Sequence, residues 1–250
     1  MELNIRYFVM WLINAIISYL PPLIVFTLIA FLIIKFIKKG NVTETATLPV
    51  PIFLYFIAMY SLITVANIIN HWGANVLDHF FGTGELRDIF GAVMPENLNQ
   101  WLTLLLFAGI VAPIAEELIY RHILLKPLRC LNDRWAVIIT ALLFGALHGN
   151  RTQFLYAVVG GIILGIAAVR ANSIKPAIII HMLNNSFDIG KSFMFELIEE
   201  DSFGHIVLMN SYVLLIFAGL VTAAILMAKR GFSLPPKLLS SETPQPPTPS

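Results

Sequence analysis

The stretch "NLNQWLTLLLFAGIVAPIAEELIYRHILL", residues 97–125, decides how the chain folds. Nineteen uncharged, mostly apolar residues run from Asn97 to Ala115, long enough for a membrane-crossing helix. Glu116 and Glu117 follow without a break, and Arg121 comes four residues later. Charge at the centre of a bilayer costs at least about 2.5 kcal/mol per group, so such residues face a protein interior or a wet cavity.

The composition agrees that lipid is the solvent. Of 250 residues, 58% are hydrophobic and 12% charged, about half the charged share of a soluble domain. Long uncharged runs cover Tyr7–Ile34, Thr45–Asn70, Asn97–Ala115, Thr152–Val169 and Ser202–Ala228. Each reaches the roughly 18 residues of a spanning helix. Two shorter segments, Trp135–Leu147 and Pro176–Phe187, complete a scheme of about seven spans, within a range of six to eight. The first run exceeds a signal-peptide core and lacks a small-residue cleavage site, so it reads as a retained helix, kinked at Pro21 and Pro22. The expected fold is an all-α polytopic transmembrane bundle. A single cysteine, Cys130, excludes an internal disulfide framework and a cysteine-rich metal cluster.

The basic residues orient the bundle. With the segment after the first span inside, Lys35, Lys38, Lys39, Lys126, Arg129, Arg134, Arg170, Lys175, Lys229, Arg230 and Lys237 are cytoplasmic. Only Arg6, Arg87, Arg151 and Lys191 fall outside, the asymmetry of the positive-inside rule. The loops at 71–98 and 188–205 are then external and the C-terminus cytoplasmic. His71, His79 and His205 are expected in those loops, solvated or interfacial, and the tail "LSSETPQPPTPS" has the composition of a disordered segment. Gly161 and Gly165 have the spacing that lets two membrane helices approach closely.

Helix geometry sorts the buried charges. Glu117 and Arg121, four apart with the acid first, share a face and can neutralise each other. Glu116 is turned about 100° away and has no such partner. Two further helices repeat the four-residue spacing, with Phe144 and His148 in "FGALH" and His181 and Asn185 in "HMLNN". At 1.5 Å per residue, Glu116 lies about 15 Å from Lys126, His148 about 21 Å from Arg134 and His181 about 9 Å from Lys175. All three depths fall inside a hydrocarbon slab about 30 Å thick. His122 points away from this face, and "GKS" at 190–192 lacks the upstream glycine of a phosphate loop.

Two chemistries suit that set. A carboxylate beside a histidine can take a proton from water and pass it to a leaving amine, while a second histidine and an asparagine amide stabilise an oxyanion. Alternatively Glu116, His148 and His181 could ligate zinc and an activated water. The HExxH spacing of many zinc peptidases is absent. The residues alone leave both open.

"EELIYR", "FGALH" and "HMLNN" resemble the EExxxR, FxxxH and HxxxN motifs of the CAAX protease and bacteriocin-processing family, also called the Abi family. The resemblance covers roughly residues 97–190 and implies an intramembrane endopeptidase with its active site within the membrane. By it, Glu116 activates water, Glu117 and Arg121 hold the site together, and His148 assists at the water or the departing amine. His181 and Asn185 stabilise the oxyanion, and Phe144 packs. Tyr120 stands where the family usually has phenylalanine. The resemblance admits a metal-free glutamate mechanism, which is favoured here, and a zinc one. With this block as a catalytic core (97–190), the chain divides further into N-terminal spans with an outer loop (1–96), a C-terminal span (191–230) and a disordered Pro-rich cytoplasmic tail (231–250). The expected setting is a bacterial cell membrane. The expected partners are the lipid bilayer and a peptide or protein substrate entering from the membrane or the cytoplasm, not nucleic acid. The competing reading is a non-catalytic immunity protein that binds a bacteriocin-like peptide.

Overall fold

The computed structural model describes residues 51–81, 95–148 and 151–234, and these are helical, without strands among the described residues. Six rods follow in order: α1 (Ile52–Phe81), α2 (Leu98–Leu128), α3 (Asp133–Leu147), α4 (Arg151–Ala171), α5 (Lys175–Leu197) and α6 (Phe203–Ala228). Side-chain oxygens start three of them by accepting an orphan backbone N–H. Asn97 accepts from Gln100, Asn132 from Arg134 and Ser202 from His205. Pro176 opens α5, where its missing N–H is not needed.

Four described helices are long and apolar enough to cross a membrane: Ile52–Asn70 within α1, then α2, Gln153–Ala171 within α4, and α6. They correspond to four of the five long uncharged runs, and Tyr7–Ile34 lies outside the described residues. The two shorter segments form α3 and α5, which fall short of that measure, so seven spans are not resolved. Two expected outer loops are corrected. Residues 71–81 continue α1, and residues 188–197 continue α5. In α5 the polar side chains gain partners within the bundle, so the helix does not end at Asp188. Tyr60 donates to Asp188 Oδ1 at 3.2 Å, Lys191 Nζ lies 2.6 Å from the same oxygen, and Lys191 sits 5.1 Å from the Tyr212 ring centroid.

The antiparallel order gathers Lys126, Arg129, Arg134, Arg170, Lys175, Lys229 and Arg230 at one end of the bundle. Arg129 ties three helix ends together there, through Asp133 at 2.9 Å and Asn172 at 3.2 Å. Arg170 donates to the carbonyls of Arg230 and Ser233, and the Tyr55 hydroxyl to that of Gly231 at 2.7 Å. Residues 231–234, expected in a disordered tail, are therefore packed; residues 235–250 lie outside the described set.

The core sits between α1, the end of α2, α3, α4, α5 and α6, with Tyr55, Met59, Leu164, Ala167, Ile180 and Leu226 almost wholly enclosed. In lipid there is little hydrophobic drive between helices, so small residues and close contact do the work. A methyl group added at Gly161 would lie 3.0 Å from Ala141 Cα, and one at Gly165 would lie 3.1 Å from Val137. The Gly161–Gly165 face is thus the α3–α4 seam. Gly219 of α6 presses equally tightly on Ile57 and Ser61 of α1.

Candidate active site

The site is built on a break in α2. Residues 105–111 and 118–125 are π-helical, on either side of a short α-helical piece, Ala112–Glu117. Ala112 N–H reaches back five residues to the Phe107 carbonyl. In that register the next N–H would serve Ala108, but residue 113 is proline and has none. In α register the same missing donor would have served Gly109. Both freed carbonyls are taken up from α5: Asn185 Nδ2 donates to Ala108 O at 3.0 Å, and Ser186 Oγ to Gly109 O at 3.2 Å. Gly109 permits the approach, since a Cβ there would stand 2.9 Å from Ser186 Oγ. Buried backbone polar groups must be satisfied in lipid, so Pro113 binds α2 to α5 at this level.

One turn further along α2, Glu117 is fully buried and bridges two partners. Its Oε2 accepts from Arg121 Nε at 2.8 Å, the ion pair expected from their spacing. Its Oε1 lies 3.1 Å from His181 Nδ1. An ionised carboxylate only accepts, so His181 carries a proton on Nδ1 and directs Nε2 onward. Nε2 stands 3.7 Å from Glu116 Oε2. Glu116, expected to be alone, therefore faces an imidazole. Its side chain keeps 30% of its exposure while His181 keeps 6%. Glu116 is the open end of a chain that runs through His181 and Glu117 to Arg121.

The guanidinium is held on other sides too. Arg121 Nη1 lies 3.5 Å from Thr140 Oγ1, and its Cζ lies 5.7 Å from the Phe144 ring centroid. Phe144, buried, touches three aromatic neighbours edge-on: Tyr120 at 5.0 Å, His148 at 4.7 Å and His181 at 5.6 Å between centroids. His148 caps the end of α3. Its Nδ1 lies 2.7 Å from the Phe144 carbonyl, which can only accept, leaving Nε2 without a hydrogen bond among the described residues. Asn185 stays beside the site through Ala108, with its Oδ1 accepting from Asn184 at 3.2 Å.

Six of the seven residues singled out in the sequence, Glu116, Glu117, Arg121, Phe144, His148 and His181, are thus linked by contacts, while Asn185, one turn beyond His181 on α5, is tied to Ala108 and Asn184. His122 is exposed and outside this set. His205, expected to be solvated or interfacial, is half-buried in the first turn of α6, its ring 5.5 Å from Phe195. The side chains of His71 and His79 lie outside the described set. Three features escaped the sequence: the Glu117–His181 contact, Thr140, and the Pro113–Asn185–Ser186 clamp. A hydroxyl within "WAVIITALLFGALH" and a proline within "APIAEE" were the available signals.

A zinc site needs three ligands pointing at one position. Among the described residues no group of three or more His, Cys, Asp or Glu side chains is arranged to hold a metal. Glu116 and His181 face each other, and His148 holds the Phe144 carbonyl through Nδ1, an arrangement that a ligating imidazole also uses, so only the lack of convergence of the three counts against the metal. As placed, these side chains do not converge on one metal position, and what they offer directly is the chemistry of carboxylates, imidazoles and amides.

No curated protein and no solved structure gives a significant match. Residues 98–187, from the start of α2 to the polar face of α5, match the family model described as Type II CAAX prenyl endopeptidase Rce1-like, in agreement with the CAAX protease resemblance of the three motifs.

Proposed function

We propose that the protein is an intramembrane endopeptidase that hydrolyses peptide bonds of membrane-associated peptides or protein tails, with water activated between Glu116 and His181. The observation that carries this reading is the hydrogen-bonded line from Arg121 through Glu117 to His181, whose Nε2 stands 3.7 Å from the half-open Glu116. The 3.7 Å gap between Glu116 and His181 is too long for a direct hydrogen bond and suits one bridged by water.

In this mechanism Glu116 takes a proton from the water as its oxygen attacks the scissile carbonyl carbon. The C–O bond forms, negative charge moves to the carbonyl oxygen, and the proton held by Glu116 passes to the nitrogen as the C–N bond breaks. His148, through Nε2, assists at the departing amine. Asn185 spends one N–H on Ala108 and keeps a second for the oxyanion. His181 joins it when Nε2 is protonated, its Nδ1–H remaining on Glu117. Positioned proton transfer contributes about 10²–10⁴-fold, and one oxyanion donor about 10²–10³-fold. The proposed topology is a multi-pass bundle of about seven spans, with the basic end and the C-terminus cytoplasmic in a bacterial membrane. Residues 97–190 form its catalytic core.

The test is Glu116→Gln, which keeps the shape and removes the base. Peptide release from membranes should disappear at unchanged abundance. Retention of the associated phenotype in that variant would favour an immunity protein that binds its peptide without cleaving it.

A further inference from the structure

Among the described residues the site has a closed end and an open end. Toward the basic rim it is sealed by apolar side chains: Leu125, Leu128, Val137, Ala177 and Ile180 are all buried. Toward the other end α5 presents a continuous polar face, His181, Asn184, Asn185, Asp188, Lys191 and Ser192, spaced three or four residues apart. The Asp188 side chain keeps 55% of its exposure and Lys191 21%. The enclosed Asn184 Oδ1 accepts from no group among the described residues.

α3 supplies an independent observation. It starts at the basic rim and ends after 15 residues at His148, a rise of about 22 Å against a slab of about 30 Å. Its last carbonyls therefore finish inside the membrane, where irregular backbone is tolerated only against protein or a water-filled cavity. His148 Nδ1 satisfies one of them, that of Phe144. The partly exposed carboxylate of Glu116 is unsuited to acyl chains, and Asp188, though met by Lys191 and Tyr60, still keeps half of its exposure.

We propose that water reaches Glu116 along the polar face of α5, from the end of the bundle where α3 stops, and not from the basic rim. On the peptidase reading, which this consequence rests on, substrates offer their scissile bond as a polar tail on that side of the membrane, which in the proposed topology is the non-cytoplasmic one and replaces the cytoplasmic entry expected from the sequence. The entrance itself does not depend on hydrolysis.

The sole native cysteine makes a direct test practical. In a Cys130→Ser background reconstituted into liposomes, Asn184→Cys, Asp188→Cys and Ser192→Cys sample the polar face. Leu183→Cys and Met194→Cys sample exposed apolar positions of the same helix. Trp135→Cys, exposed beside Arg134, marks the basic rim. A membrane-impermeant cationic methanethiosulfonate should label 184, 188 and 192 about tenfold faster than 183 and 194, because thiolates form in water. It should do so from the side opposite to the one that labels 135. Equal protection of all five α5 positions, or labelling of 184 and 188 only from the side of 135, would overturn the entrance. Loss of peptide release with this labelling pattern intact would sink the hydrolysis reading alone.

Discussion

Arg121→Ala tests the electrostatic frame of the site. Wild-type Arg121 and Glu117 are both fully enclosed and joined at 2.8 Å. Removing one member of a buried pair leaves the other uncompensated, at a cost of about 3–5 kcal/mol. Glu117 would not be left entirely alone here, since His181 Nδ1 remains 3.1 Å away and can hold a full positive charge. That places the expected loss near the lower bound, about 3 kcal/mol. For a chain of this size it corresponds to a fall in Tm of roughly 6–12 °C. Thermal unfolding in detergent, followed by intrinsic tryptophan fluorescence, reads it directly. Adding Glu117→Ala to Arg121→Ala removes the stranded charge and should recover part of the loss, which separates charge from packing. A Tm for Arg121→Ala within about 2 °C of wild type would refute the pairing.

Glu117→Gln should destabilise similarly and also release His181 from its fixed tautomer. Peptide release per molecule should then drop by about 10²–10⁴-fold, measured at matched abundance, and near-normal turnover would remove Glu117 from the mechanism. Asn185→Ala should cost about 1–3 kcal/mol by orphaning the Ala108 carbonyl. In a Pro113→Ala background, where residue 113 regains an N–H, the same change should cost measurably less. Strict additivity in a thermal double-mutant cycle would show that Asn185 does not compensate for the proline. Gly219→Val places a side chain 2.5 Å from the Ile57 carbonyl. It should lower stability by about 1–3 kcal/mol through separation of α1 and α6 without altering the site. An unchanged melting curve would mean those helices are not packed as described.

The local part of the site was legible because spacing alone decides it. Glu117 and Arg121 pair at four residues although π-helical turns begin directly after Glu117. Motif depth, counted from the basic residues, placed Glu116, His148 and His181 within the slab but could not say which of them face one another. The contact between Glu117 and His181 could not be read that way, because it joins positions 64 residues apart. It also depends on the register of α2, which the π turns and Pro113 shift away from 100° per residue. Helix ends failed for a related reason. Asp188 and Lys191 look like loop residues until Tyr60 and Tyr212, on two other helices, are seen to receive them. Hydropathy registers the charge of a side chain and not the partner that accommodates it.

The most direct measurement is a mass-spectrometric comparison of peptides released by wild-type and Glu116→Gln protein, purified and reconstituted with the same membrane extract. Water activation at Glu116 predicts fragments with new termini from the wild type, and none above background from the equally abundant, equally stable variant. The same fragments in equal yield from both would contradict the proposed role of that carboxylate.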